Sequence, residues 1–542
     1  MVTVIHFDRI HKGNLALRSH LAPKKCDIMS LRCKEVLPLT HYKSLASSPV
    51  CSEPFFTEAK IKMRQKVLIM RCDDYDPEKI SGIIKEGMEE LCIKPSGRIL
   101  LKPNVVIAHP EIFPHAFTRA EFLDGVIKAT KERVDKVEEL AVGERSGITI
   151  PTRFTFKNAG YQDVIKKHKI KAYYFDEVRQ VPVELSIYGR LRDQIFVAKP
   201  VAHCDFLINL PKFKAHPWTR LTLSLKNLIG IQDDRNRLVD HNTFLEHKIA
   251  DLQEVIQPGF IAIDAIVAGQ RMMLTPTPFR MGAIVMGTNS CAVDTVGCHM
   301  VHVDPHDLIH LRLAAERGFG PIDLEEIDVS GDFPLEDVRG KTSNFQLCME
   351  PIDEYFGQES NLSCIVGKFP EKHSPDYCWG GCPGALQEAM HIFKAFCPNV
   401  EREMERVRYV VGRLQGPLEL DESERAIFVG NCTSWKGRID GQGVNIESNY
   451  KTTHEVDARK TKSNDMLLKM VSSIWQCFKR RSSRYIHAKG CPVSVAEHIN
   501  YLSSIGKIGN VNFDPRVLIP INIAYCQMRL NRFLNRFFDN FA

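Results

Sequence analysis

The chain of 542 residues has no GxGxxG turn, no GxxxxGK[ST] loop and no GxSxG elbow. Their absence removes the cheapest sequence support for nicotinamide, nucleoside-triphosphate and serine-hydrolase chemistry. HExxH is missing too, and so is the CxxCxxCxxxC run of bacterial ferredoxins. Charge of one sign is scarce: 72 Lys and Arg against 66 Asp and Glu leave a net charge of +6. Spread over this length, that is too weak an imbalance to imply nucleic acid or a membrane surface. Long apolar runs are also lacking. Phe260–Val267 contains an acid and falls far short of the roughly 20 residues of a membrane span. The opening MVTVIHFDRIHKGNLALRSH has neither an apolar core nor a small-residue cleavage site, so no secretory signal is expected. The setting expected from these absences is cytoplasmic, with no membrane partner.

Cysteine, by contrast, is plentiful at 17 residues. An odd count in a long chain without a secretory signal argues against a disulfide framework. The cysteines are therefore read as reduced thiols, some of them metal ligands.

Residues 1–65 lack sustained periodicity and are expected to be a disordered extension. Order begins near Lys66 with KVLIMRC, a short apolar run suited to a buried strand. Ile80, Ile83, Ile84, Met88 and Leu91 then recur at helical spacing. RILLKPNV, LAV, KAYYFD, CDFLINL, FIAIDAIVA and GAIVMG read as further strands. Helices are expected at 119–134, 219–229, 243–257, 290–301 and 305–317. Short apolar strands alternating with helices predict an α/β fold, with a largely parallel or mixed sheet flanked by helices. Beyond about residue 345 the texture changes to loops rich in Cys, Gly and Pro. The expected organisation is an α/β domain at 66–340 and a cysteine-containing α/β or α+β domain at 341–542.

Three loops of the second half share one chemistry: YCWGGCPG, FVGNCTSWKG and AKGCPVS. Each sets cysteine beside Gly, Pro or a small polar residue, and together they supply Cys378, Cys382, Cys432 and Cys491. Glycine lets a backbone curl around a small object and aim amide hydrogens at a thiolate. Four thiolates suit a [4Fe–4S] cluster, with structural zinc as the alternative. A redox dithiol at Cys378 and Cys382 is a lesser reading, and unmetallated packing cysteines remain open. Cys72, Cys92, Cys204, Cys291 and Cys298 lie in apolar or helical patterns and are read as packing residues.

The first half concentrates its polar groups in Asn209–Gly230, NLPKFKAHPWTRLTLSLKNLIG. A strand ends at Pro211, and Lys212, Lys214, His216, Arg220, Thr222, Ser224, Lys226 and Asn227 follow. In open α/β sheets ligands bind beyond the carboxyl ends of the strands. One of Lys212 and Lys214 is expected to face the site, His216 to transfer a proton, and Lys226 to pair with an anion. A solvated basic loop explains the lysines as well. Lys102, Asn104, Glu144, Arg145 and Ser146 stand at other strand ends. Asp264 sits in an apolar strand and needs a partner, and Asp294 falls near a helix start. His299, His302, His306 and His310 are assigned surface or capping roles.

The segment LINLPKFKAHPWTRLTLSLKNLIG resembles the signature region of an uncharacterised prokaryotic family, catalogued as domain of unknown function 362. IAIDAIVA and MGAIVMGTNSCAVDTVG resemble its other recurrent stretches, so the likeness spans roughly residues 66–335. Members of that family often carry cysteine-rich or ferredoxin-like additions, which implies an iron–sulfur centre here. The same region looks more distantly like the N-terminal part of nickel-dependent lactate racemase. There, His and Lys residues serve a nickel-pincer cofactor and proton transfer; His216 and Lys214 or Lys226 are the positions this likeness reaches.

These observations predict an iron–sulfur-associated enzyme of redox or proton-transfer chemistry acting on a small anionic substrate, with a redox partner protein. His216 and Lys226 are the catalytic candidates. Lys212, Lys214, Asn104 and Asn227 are the substrate-binding ones. A non-enzymatic cluster carrier or electron-transfer module is the competing class. A racemase-like enzyme using the first half alone is the third reading.

Overall fold

Apolar strands of the first half assemble in the computed structural model, which describes residues 64–109, 114–147, 150–237, 244–347, 351–357, 359–369, 381–448, 480–511 and 514–538. The extension expected at 1–65 lies outside these residues except for its last two positions. From Arg64 onward the described chain is one compact unit built around two large sheets, with a third of two antiparallel strands, Gln180–Glu184 and Gln194–Ala198.

The first sheet has ten strands. Across it run Ile327–Ser330, Gln65–Arg71, Thr277–Gly287, Phe260–Gln270, Phe206–Leu210, Gly97–Pro103, Val137–Glu144 and Lys171–Tyr174. The last five of these are mutually parallel. Thr277–Gly287 is antiparallel to both of its neighbours, so the sheet is mixed. Val67, Leu68, Ile69, Ile263 and Val285 are fully buried, as residues of a sheet covered on both faces must be. Helix Pro77–Glu90 starts where Asp76 caps it, its side chain accepting from the Glu78 amide.

The second sheet carries Leu362–Val366, Val407–Arg413, Arg425–Ile439 and Gln442–Ile446 in that order, with Tyr485–Ala488 parallel to Arg425–Val429. Helices Gly381–Phe396 and Val495–Ile505 pack against each other beside it. The C-terminal helix Pro515–Phe538 reaches back to the first sheet's unit. There Asn531 Nδ2 donates to Glu177 Oε2 at 3.0 Å, Asn535 Nδ2 donates to the Glu177 carbonyl at 3.1 Å, and Arg532 Nε donates to the Asp176 carbonyl.

Several expected elements are corrected. The helix expected at 219–229 is mostly something else. Arg220–Thr222 is a strand antiparallel to Lys212–His216, and only Ser224–Asn227 is α-helical before a 3-10 turn at Leu228–Ile231. Arg220 takes a left-handed φ of 60°, which tightens the hairpin that periodicity alone does not reveal. Cys92 is exposed after the end of its helix rather than packed, whereas Cys72, Cys291 and Cys298 are buried as expected. His302 and His306 are at the surface, but His310 is buried, with Nδ1 2.5 Å from Glu246 Oε2.

Glu144 packs so closely on Gly230 that a methyl there would lie 1.8 Å from Glu144 Oε1. Gly230→Ala is therefore expected to displace Glu144 and lower stability by about 2–3 kcal/mol, an overpacking cost. Denaturant unfolding checks this, and an unchanged midpoint would contradict the packing.

Candidate functional site

The carboxyl ends of the parallel strands gather a set of buried polar side chains. Lys102, on Gly97–Pro103, has its Nζ 2.5 Å from Glu144 Oε2 and donates to the Asn227 carbonyl at 2.5 Å. Burial lowers the Lys102 pKa and raises that of Glu144, and their mutual attraction opposes both shifts. A chain of amides continues from there. Asn104 Nδ2 donates to Asn227 Oδ1 at 2.9 Å, Asn227 Nδ2 to Asn209 Oδ1 at 2.8 Å, and Asn209 Nδ2 to Ser224 Oγ at 2.9 Å. Asp294 holds the turn in place by accepting from the amides of Ser224 and Leu225, at 2.7 and 3.0 Å. Burial pushes its carboxyl up to about 7.

Lys212 and Lys214 share the strand Lys212–His216 but meet different partners. Lys212 Nζ donates to Asp264 Oδ2 at 2.9 Å and to the Tyr75 hydroxyl at 2.8 Å. Asp264 also accepts from Tyr75 at 2.8 Å and from the Arg119 amide at 3.1 Å, which supplies the partners an acid in an apolar strand requires. Lys214 is just as deeply buried, yet its Nζ donates to the neutral carbonyl of Ala116 at 2.6 Å. Burial first, then the neighbouring Lys226 charge, brings its pKa down to about 7, against the pull of Glu388. Lys226 is partly buried and is lowered to about 8, chiefly by desolvation. Its charge is favoured by Glu246 and Glu388 and opposed by Lys102.

Glu388 comes from the second half, on helix Gly381–Phe396, and is fully buried. Its Oε1 accepts from the Leu274 amide at 2.8 Å and from the Met273 amide. Its Oε2 is buried without a hydrogen-bond partner among the described residues. Burial raises this carboxyl to about 7, with Lys214 and Lys226 drawing it back down. The helix is joined to the polar segment at its first turn. Trp218 Nε1 donates to the Gly381 carbonyl at 3.3 Å, and a methyl at Gly384 would meet Pro217 Cβ at 2.6 Å. His216 stands just before this contact, its ring 5.4 Å from that of Trp218 in an edge-to-face arrangement. His216 Nδ1 accepts from the amides of Trp218 and Thr219, at 3.1 and 3.2 Å. A neutral ring bonded this way carries its proton on Nε2.

Two of the nominated cysteines lie close to one glycine. A methyl placed on Gly430, whose φ is +94°, would lie 3.3 Å from Cys382 Sγ and 3.6 Å from Cys432 Sγ. The Val493 amide donates to Cys382 Sγ at 3.3 Å. The loop bearing Cys491 is stitched to that bearing Cys432: the Asn431 amide donates to the Gly490 carbonyl at 2.9 Å, and Asn431 Oδ1 accepts from the Gly490 amide at 3.0 Å. Gly381 packs on Pro492, which follows Cys491. Cys378 lies outside the described residues. Among the described residues no three His, Cys, Asp or Glu side chains are arranged to hold a metal ion. The donor chemistry suits a thiophilic centre all the same, with two sulfurs facing a glycine that leaves room and an amide aimed at one of them.

Of the residues nominated from the sequence, Asn104 and Asn227 are hydrogen-bonded to each other, Lys214 lies within electrostatic reach of Lys226 and Lys212, and His216 is held against Trp218 and Thr219. Sequence reasoning missed Glu388 and Glu246. Glu388 carried a readable signal, because an acid inside the apolar run ALQEAMHIF raises the same question as Asp264 in its strand. Surface cavities of about 510 Å³, beside Arg98 and His203, and about 600 Å³, beside Asp176 and Asp233, share none of these residues.

A stability test follows from Glu388. Its folded pKa of about 7 lies above the ordinary 4.5, so the native state retains the proton longer than the unfolded chain. The stability contributed by the neutral acid is complete below the unfolded value and is lost as pH rises through about 7. Wild type is therefore expected to lose stability relative to Glu388→Gln across that window, by on the order of 3 kcal/mol at most. Chemical denaturation at a series of pH values measures the difference; a gap that does not vary with pH would contradict a raised pKa.

The chain is 23% identical over 279 residues to a thylakoid-associated protein of Synechocystis sp., a match covering 48% of this chain and 83% of that relative. Its structure is similar to that of lactate racemase apoprotein from Thermoanaerobacterium thermosaccharolyticum, at 11% identity and a TM-score of 0.30, over 81% of this chain and 96% of that one. It is also similar to a crystal structure of a protein from Thermotoga maritima, at 10% identity and a TM-score of 0.30, over 67% and 89% of the two chains. No helix among the described residues is long and apolar enough to cross a membrane. Residues 99–299, which hold every first-half residue nominated for the site, match the family described as Domain of unknown function (DUF362), as the resemblance of Asn209–Gly230 implies.

Proposed function

We propose that the protein is an enzyme that moves a proton to or from a small anionic substrate, with an iron–sulfur cluster beside the site. The observation that carries this reading is Glu388: a fully buried carboxyl with one oxygen that has no hydrogen-bond partner among the described residues, attracted electrostatically by two lysines whose own pKa values fall near neutrality. Groups poised near the working pH are what general acid–base catalysis requires. A buried charge cluster kept only for stability would be expected to pair its members directly, as Lys102 does with Glu144.

In this reading Lys226, the more accessible lysine, holds the carboxylate or phosphate of the substrate. Lys214 and Glu388 exchange a proton with it, since each changes charge at an ordinary cellular pH. His216, with Nδ1 committed to backbone amides, has Nε2 as its position for proton exchange. Asn104 and Asn227 keep the strand ends in register beneath the site. Lys212 serves as a fixed cation already balanced by Asp264. The reading in which the first half acts alone has no place for Glu388.

Cys382, Cys432, Cys491 and Cys378 are the residues that would hold the cluster, and zinc is the competing occupant. A bound cluster would supply single-electron transfer or Lewis acidity, drawing on a redox partner protein. Every cysteine among the described residues is a free thiol, in keeping with a cytoplasmic, reducing setting.

Two measurements test the proposal. Protein purified anaerobically is expected to contain iron and acid-labile sulfide, and to show visible absorbance that bleaches on reduction and is lost in Cys382→Ser/Cys432→Ser. Colourless protein with stoichiometric zinc would replace the cluster with a structural metal. Incubation in heavy water with a panel of small carboxylates and phosphates, followed by NMR, is expected to reveal one whose carbon-bound hydrogen exchanges. Lys214→Ala and Glu388→Gln should each slow that exchange by about a hundredfold or more, the usual contribution of a general acid or base. Exchange at wild-type rates in both variants would remove the site assignment.

A further inference from the structure

The C-terminal helix Pro515–Phe538 has two faces of opposite purpose. Ile521, Ala524 and Met528 are buried, and with Asn531, Arg532 and Asn535 they fasten the helix to the body of the protein. On the other side Ile519, Ile523, Leu530, Phe533 and Leu534 expose between 38% and 58% of their surface. Steps of four and seven residues set Ile519, Ile523, Leu530 and Leu534 along one line of an α-helix. Among the described residues only three other large apolar side chains are comparably exposed, Val137, Tyr188 and Tyr485, and they are scattered singly. A continuous stripe on one helix is a different matter, because apolar surface concentrated in this way marks an interaction site.

The helix also departs from the even charge balance of the whole chain. Arg516, Arg529, Arg532 and Arg536 are its only charged residues; it has no Asp or Glu. Arg529 is exposed beside the stripe, whereas Arg516, at the start of the helix, is held in an ion pair by Asp514 at 2.8 Å. A second copy of the chain would set arginine against arginine, with no acid on the helix to separate them. An anionic surface matches both features at once, taking the apolar stripe into its interior and the exposed Arg529 at its rim. We propose that this helix lies on an anionic lipid surface, with its axis in the plane of the membrane and the rest of the protein held above it. It does not span the bilayer: its opposite face is occupied by the body of the protein, and Pro520 interrupts its backbone bonding.

The test uses the full-length protein and two kinds of vesicle, phosphatidylcholine alone and phosphatidylcholine mixed with phosphatidylglycerol. Wild type is expected to float with the mixed vesicles at low salt and to bind the neutral ones at least about tenfold more weakly. Ile523→Asp/Leu530→Asp should lose about tenfold or more of the binding while melting at the wild-type temperature, since both positions face away from the body of the protein. Arg529→Glu should narrow the difference between the two vesicle types. Wild type that stays in solution with both vesicles, or a double variant that floats as well as wild type, would overturn the proposal. So would a concentration-dependent dimer in sedimentation velocity that the double variant abolishes, because the stripe would then belong to a second copy.

Discussion

A protein interior does not hold an ammonium without compensation, and three lysines buried at the strand ends of the first sheet meet that constraint in three ways. Lys102 is neutralised by Glu144 and braced by the Asn227 carbonyl. Lys212 is neutralised by Asp264 and the Tyr75 hydroxyl. Among the described residues Lys214 is given only the Ala116 carbonyl, so its charge is left to the longer-range influence of its surroundings, and burial brings its pKa down to about 7. The first two arrangements are structural solutions, in which the cost of desolvation is met by a partner in contact. The third leaves a group that can gain or lose a proton, and the rest of the site is arranged around it.

That arrangement makes the two halves interdependent. Glu388 belongs to the helix that opens with Cys382, and its carboxyl is held by backbone amides of Met273 and Leu274 from the first half. The same helix meets Pro217 and Trp218 at its first turn, so the cysteine loops and the polar segment share one seam. A helix is rigid enough to hold a sulfur at its start and a carboxyl six residues later in a fixed relation. Movement of that helix would alter the thiol environment and the buried charge cluster together.

Local pattern sufficed for much of this. The apolar runs announced the strands, and their alternation with helices announced an α/β sheet covered on both faces. The acid in FIAIDAIVA announced that a partner must be near, and the cluster of polar types after CDFLINL suggested a strand-end site. Each of these signals is contained within a few residues, because burial of a strand and solvation of a loop are decided by composition over that range. The hairpin at Arg220 was hidden, since a helical spacing of leucines in RLTLSLKNLIG also fits a short strand followed by a single turn.

What the sequence by itself determined is thus the class of fold, the identity of the strand-end lysines and asparagines, and the pairing of cysteine with glycine in three loops. The tertiary structure decided which lysine is left without a carboxylate in contact, that a buried acid, Glu388, acts on it electrostatically from more than a hundred residues away, and that Cys382 and Cys432 both come close to Gly430. It also decided that Ile519, Ile523, Leu530 and Leu534 of the C-terminal helix are exposed. The physical reason is common to all of these. A pKa, an unpartnered oxygen and an exposed face are properties of the volume around a group, and that volume is filled by residues whose separation along the chain carries no information about their separation in space.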